Sequence, residues 1–425
     1  MKKFLAIILA ALMLFMMFAG CNAETKTDDA STTTSADSEE ITLKFIRIGN
    51  DAAEGDYWKG LIDEFNEANE GITVEYDEAA IGEAMETKLN TAFAAGLGQD
   101  IIGHGIMSVA ARAEAGHYMD ITEYFNNWEG KDDIMPAVLA NGTYNDKIYG
   151  LAYSTTPFVF AYRTDLFEQA GLDPNAPPKT WDELKEYALK LTQKDGDKIT
   201  VAGFAFPMTS GNFVEFDIFA FGNDSLYYDE AGNPTIDTPE KLEAFEFLSS
   251  FLADVNLPYN SNEVNPFLNG NAAMTVINNV ALTPMLNNEE YAGKVAIATP
   301  PNNGTEANFC GCNMLFIGGN CQNPDEAFKF IETALSADEV LNRAKVLSIP
   351  VTRTSQVDAF VELDPMNEVR AKCVEIGIGM PRTTWAASFQ KIRNDMVQQV
   401  LYSKSSPADA LANAQAQLEA DIAAQ

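Results

Sequence analysis

Two histidines, His104 and His117, five cysteines and 62 acidic residues are the groups in this 425-residue chain that could move protons, hold metals or attack a substrate. Two imidazoles are too few for an imidazole-rich metal centre and argue against Ser–His or Cys–His nucleophilic sets. Carboxylate pairs for glycosidase-type acid–base chemistry cannot be told apart by counting when acids are this abundant, and no segment singles one out. The chain has no GxSxG, HExxH, Walker-type Gly-Lys-Ser/Thr run or EF-hand loop. Asp224-Ser225-x3-Asp229-Glu230-x2-Asn233 is oxygen-rich enough for Ca²⁺ but lacks the EF-hand order, and reads as a solvated hairpin turn. Cys310-x-Cys312 has a metal-compatible spacing without a second pair or clustered histidines. Bridging of Cys310 or Cys312 to Cys321 is the alternative to free, partly buried thiols at Cys310, Cys312, Cys321 and Cys373. No catalytic residue, metal ligand or cofactor is expected.

Composition narrows the remaining classes. The 46% hydrophobic and 10% aromatic content is that of a folded chain, and the length suits two or three domains. A formal net charge of -34 repels phosphate backbones, which excludes nucleic-acid binding through a basic groove. Met1-Lys2-Lys3 followed by the apolar run Phe4 to Phe18 is too short to span a bilayer and has the layout of an export signal. The run ends in Phe18-Ala19-Gly20-Cys21, which resembles a bacterial lipobox, so Cys21 is the expected lipidation site. Residues 1–20 are read as a lipoprotein signal peptide. Residues 21–40, rich in Ala, Thr, Ser, Asp and Glu, are read as a flexible tether.

The body alternates strand and helix patterns. Ile41 to Ile48 reads as a strand, the Tyr57–Phe65 stretch as a helix, Ile72 to Tyr76 as a strand, about Met85 to Ala95 as a helix closed by Gly96, and Ile101-Ile102 as a strand. Such alternation belongs to α/β sheets. Thr180-Trp181-Asp182-Glu183 is a capping box opening a helix through Leu191. Further helices are expected from Thr238, from Asn323 and over Pro407 to Ile422.

These segments, in this order, resemble the family 1 extracellular solute-binding proteins, the receptors of bacterial ABC carbohydrate importers. The resemblance rests on Phe65-Asn66-Glu67-Ala68-Asn69 before Ile72-Thr73-Val74-Glu75, on Lys88 to Gly96 before Gln99-Asp100-Ile101, and on Ile148-Tyr149-Gly150-Leu151. It continues through Tyr162 to Phe167, Pro178 to Leu184 and Phe267 to Met274. The family usually has Pro where Gln99 stands and often places Trp just after Met274, where this chain has Asn278-Asn279. The resemblance implies a two-lobed, type II periplasmic-binding-protein-like α/β fold with discontinuous lobes joined by a hinge. The implied N-terminal lobe is 41–152 with 273–311, and the implied C-terminal lobe is 153–272 with 312–425. Crossings are then expected near Leu151–Ser154, Asn271–Thr275 and Cys310–Leu315.

The implied function is an ABC-importer receptor, tethered to the membrane through lipidated Cys21 on the extracellular side. It captures a sugar by hinge closure and docks, as a monomer, on the permease. A surface-anchored glycan hydrolase and a receptor for a non-sugar solute are the alternatives. A neutral sugar presents C–H faces to aromatic rings and hydroxyl edges to polar groups. The expected ligand-binding residues are therefore Asn50 and Asp51 after the first strand, and His104 between glycines after the third. They also include Tyr153 at a crossing, Asn212 and Phe213 where the family often carries a stacking aromatic, Asn278 and Asn279 in place of the family's Trp, and Arg382 and Trp385 in a late segment. Phe213 and Tyr153 are weighed against places in the core, and His104 against a solvated loop. Trp58 and Trp181 read as structural.

Overall fold

Ile41–Ile48 (β1) exposes Thr42 and Lys44 at its start and is buried on both faces from Phe45 onward, with Leu43, Phe45 and Ile46 fully buried. The computed structural model describes residues 40–424 apart from 50, 81, 211, 212, 261 and 262. The expected signal segment, Cys21, Asn50 and Asn212 lie outside the described residues. β1 is followed by helix α1 (Ala52–Ala68), strand β2 (Ile72–Ala79), helix α2 (Glu83–Ala94) and strand β3 (Ile101–Gly105). β2 and β3 both pair with β1 in parallel. Arg47 lies beside Gly103 in that register, and a Cβ on Gly103 would stand 2.6 Å from the Arg47 Cγ. Gly103 thus makes room for an arginine.

Two long strands extend this sheet. Asn308–Ile317 pairs antiparallel with β3 and with Gly150–Arg163, and the latter also pairs antiparallel with Met274–Asn278 and Val295–Ala298. The result is a mixed α/β sheet in the order β2, β1, β3, 308–317, 150–163, 295–298.

Packing along the two long strands changes partway. Leu151 and Tyr153 pack with Leu43, Phe45, Trp58, Leu315, Ile317 and Phe328 in one core. Ala152, Met314, Phe316, Val340 and Phe360 join Ile46 and Met85 in the cluster beside it. Phe160 and Phe309, by contrast, pack with Trp181, Phe204, Phe219, Met274, Phe389 and Leu411 in a second core. Val159, Ala161, Ala272 and Ile297 build the cluster on that core's other side.

Both long strands therefore run from one core into the other. A third passage occurs at 374–380, where Val374 packs with the first core, Met380 with the second, and Gly377–Ile378 pairs with Asn308–Phe309. Asn271–Thr275 is not a passage: Ala272, Ala273 and Met274 are buried in the second core, and the Ala205 N–H donates to the Met274 carbonyl at 2.9 Å. The cores thus group the segments differently from the expected division of 41–152 with 273–311 and 153–272 with 312–425. Residues 273–277 pack with the second core, and much of 314–374 with the first.

The strand Gly150–Arg163 carries a bulge where it leaves the first core. Asn313 pairs with Ser154 and Met314 with Ala152, so Tyr153 is the extra residue. Its carbonyl accepts from Arg343 Nη1 at 2.8 Å, while Arg343 Nη2 donates to the Ala334 carbonyl at 2.6 Å. The expected capping box is present: Thr180 and Glu183 bond reciprocally at the start of helix Trp181–Leu191.

Candidate functional site

The change of core leaves a seam, and a cavity of about 640 Å³ opens over it. Its floor comes from the long strands: Thr156 and Phe158 on one, Phe309, Gly311 and Asn313 on the other. Gly105 and Ile106, at the end of β3, form the wall on the side of the first core, and Met107 beside them packs against the second. Pro207, Ser210, Glu215, Tyr259, Asn265 and Asn278 form the opposite wall. Open α/β sheets present ligand sites at strand ends in this way. Phe158 and Phe309 meet edge to face, with centroids 5.9 Å apart. The lining thus combines aromatic surface with hydroxyl, amide and carboxyl groups, the mixture that covers C–H faces and pairs hydroxyls.

Glu215 is the charged side chain among the described residues lining this cavity. It sits in the first turn of helix Val214–Phe221. Its Oε2 is buried without a hydrogen-bond partner among the described residues. Burial pushes its carboxyl up to about 7; the Asp217 charge adds to the rise, and its own backbone N–H and Arg393 oppose it. Asp217 is itself engaged, accepting from Arg393 and, at 2.5 Å, from the Tyr227 hydroxyl. Nothing in the sequence singles out Glu215, where it is one acid among 62. The available signal is an acid embedded in the apolar run Phe213-Val214-Glu215-Phe216. Thr156, Phe158 and Asn313 escape sequence reasoning because nothing local marks a strand's floor residues.

The sequence-expected residues separate into groups. Asn278 lines the cavity at the end of its strand, and its side-chain oxygen caps Val280 N at 2.9 Å. Asn279 beside it is buried, with an unpartnered amide nitrogen. Arg382 and Trp385 border a second cavity of about 600 Å³, between the hairpin tip 143–146 and the turn 228–232. Arg382 Nη1 donates to the Ala140 carbonyl at 2.8 Å, and Trp385 Nε1 to the Gly232 carbonyl at 3.3 Å.

Asp51, His104, Tyr153 and Phe213 border neither cavity. Asp51 caps α1 by accepting from Glu54 N at 2.9 Å. Tyr153 stands edge-on to Trp58 at 5.0 Å in the first core, and Phe213 is buried in the second. His104 is neither solvated nor in the cavity. Its Nε2 meets Glu86 at 3.0 Å and its Nδ1 meets Ser108 Oγ at 2.5 Å, because β3 turns that side chain toward α2.

The four described cysteines are free and buried. Among the described residues no group of His, Cys, Asp and Glu has a metal-holding arrangement. The oxygen-rich stretch after Asp224 is organised internally. Asp229 accepts from the Ala231 and Asn233 backbone N–H groups, both at 2.9 Å. The Lys241 ammonium is held by Ser225 Oγ and the Leu226 and Thr235 carbonyls at 2.6 to 2.7 Å. Lys241 thus engages one oxygen of that stretch, Ser225 Oγ. A wider depression of about 740 Å³ along α2 is a shallow apolar surface, with Leu97 70% exposed, and has no facing wall.

The family model for bacterial extracellular solute-binding proteins matches residues 49–340. A binding protein of Brucella abortus is 27% identical over 323 residues, covering 72% of this chain and 74% of that one. An ABC transporter solute-binding protein of Thermotoga lettingae, solved with alpha-D-tagatose bound, superposes with a TM-score of 0.74 at 25% identity. That match covers 89% of this chain and 98% of the other. The sugar-binding protein MalE of Xanthomonas citri superposes with a TM-score of 0.82 at 19% identity over 90% of this chain and 98% of its own, a likeness of fold.

Proposed function

The chain belongs to the family of bacterial extracellular solute-binding proteins, and we propose that it is the receptor of an ABC importer for a sugar or oligosaccharide, which it releases chemically unchanged. The observation that carries this reading is the cavity at the seam, with an aromatic floor, Ile106 and Cys312 from the side of the first core, and Ser210, Glu215 and Asn265 on the opposite wall. The tagatose bound in the Thermotoga lettingae protein supports a sugar as the solute class. A solute touching both walls makes its full set of contacts only when the halves close on it, so binding favours the closed form. The three chain passages at 150–163, 308–317 and 374–380 are the natural hinge.

The halves suggested by the packing are 41–153 with 314–374, and 158–309 with 380–424. Asn278, Arg382 and Trp385 are retained as ligand-binding candidates, joined by Glu215, Thr156, Phe158 and Asn313. Lipidation at Cys21 would hold the receptor at the outer membrane–water boundary, within reach of a permease that receives the solute. Among the described residues, no helix is long and apolar enough to cross a membrane.

Titration of the purified chain against a sugar panel, followed by melting temperature and tryptophan fluorescence, tests the proposal. A true solute at a hundredfold excess over its dissociation constant is expected to add about 2.7 kcal/mol of stability without turnover. Release of product from any glycan would instead favour the hydrolase reading. Silence across the panel would reject a sugar receptor.

A further inference from the structure

The seam cavity has a charge sign. Twenty described residues line it, and none of them is Lys, Arg or His. Glu215 presents a carboxyl whose Oε2 has no partner among the described residues. The opposing charge that reaches it, Arg393, is committed to Asp217 in a pair buried to 0% and 1% side-chain exposure. An anionic solute would therefore meet a like charge at low dielectric, with no cation in the lining to offset it. A hydroxyl or ammonium donor would find an unused acceptor, and charge-assisted hydrogen bonds of this kind are among the strong ones.

We infer that Glu215 is the specificity-determining residue of the cavity: it admits neutral or amino sugars by accepting a hydrogen bond from them and rejects their acidic counterparts. The inference rests on the receptor reading above and narrows its substrate class. Besides burial and its own backbone N–H, the groups that act on Glu215 are Asp217 on its own helix and Arg393 from helix Ala386–Leu401, and Glu215 in turn raises the Tyr259 hydroxyl of the facing loop. Burial raises its carboxyl to about 7, so its charge changes within the range a receptor outside the cell meets.

The test uses the full chain and matched probes of gluco, galacto and manno configuration: the neutral mono- and disaccharides, the corresponding uronates, and the 2-amino-2-deoxy sugars. Isothermal titration at pH 8 gives the affinities. For the configuration that binds, the uronate is expected to bind at least about tenfold more weakly than the neutral sugar, with the amino sugar at least equal to it. Glu215→Gln keeps the shape and removes the charge, and is expected to bring the uronate within about threefold of the neutral sugar.

Uronate binding equal to that of the neutral sugar, or discrimination that survives Glu215→Gln, overturns the inference and leaves the receptor reading standing. Failure of every probe overturns the sugar reading and this inference with it. Should Glu215→Gln not fold, the wild-type chain is compared at pH 5.5 and pH 8.5. Rejection of the uronate is expected to grow as the carboxyl ionises, and pH-independent rejection overturns the assignment.

Discussion

His104 shows what a residue's type can and cannot say. A lone imidazole between two glycines after a strand looks available for a ligand, yet it closes a polar cluster with Glu86, Ser108 and Tyr118. The cluster has a measurable consequence. The Glu86 carboxyl is held down to about 2, first by the hydrogen bond with His104, with Arg112 adding to it and burial opposing it. A carboxyl whose folded value lies below its unfolded one stabilises fully above the unfolded value of 4.5 and loses that contribution as pH falls toward 2. Glu86→Gln is therefore expected to lower the melting temperature at pH 7 and to flatten its decline between pH 4.5 and pH 2, as followed by thermal melting across that range. An unchanged acid limb would mean that the cluster contributes nothing.

At the scale of elements, local signals set the helices and the packing of distant segments set the strands' departures from regularity. The Thr180–Glu183 box satisfies backbone donors that the helix itself leaves open, so the sequence alone fixed where Trp181–Leu191 begins. Thr180→Ala is expected to cost about 1 kcal/mol, with Thr180→Ser close to neutral, read from urea unfolding. The bulge at Tyr153 has no such local code. It exists because Arg343, 190 residues away in sequence, takes the freed carbonyl while resting over the rings of Tyr57 and Trp58. A bulge bends its strand and re-aims the side chains beyond it. Thr156 and Phe158, two of the cavity's floor residues, lie just beyond this one.

At the scale of the molecule, two cores share one sheet, and the cavity lies where the sheet passes between them. If closure around a solute is the receptor's working motion, filling the cavity should abolish binding while leaving both cores intact. Ala281 suits this test because it borders the cavity from an exposed position. Ala281→Trp is expected to eliminate the ligand-induced shift in melting temperature while the ligand-free melting temperature stays within about 2 °C, since surface substitutions away from packed features are usually within about 0.5 kcal/mol. Retained binding would move the site elsewhere, with the cavity beside Arg382 and Trp385 next to be filled.

The amino-acid sequence by itself determined the α/β class, the helix starts at Thr180 and Thr238, the inward faces of the helices and the family, because capping groups and apolar periodicity act over a few residues. It also marked Asn278, Arg382 and Trp385, which border cavities, along with Phe213 and Tyr153, which are buried. An aromatic ring meant for a ligand and one meant for a core have the same composition signal. Only the tertiary structure decided which core each long strand serves, that 374–380 rather than Asn271–Thr275 passes between them, and that Glu215 lines a cavity with its Oε2 unpartnered among the described residues. The physical reason is that burial and desolvation depend on atoms brought together from across the chain. A carboxylate exposed on a helix and one buried beside a cavity are spelled alike, and only packing makes them chemically different.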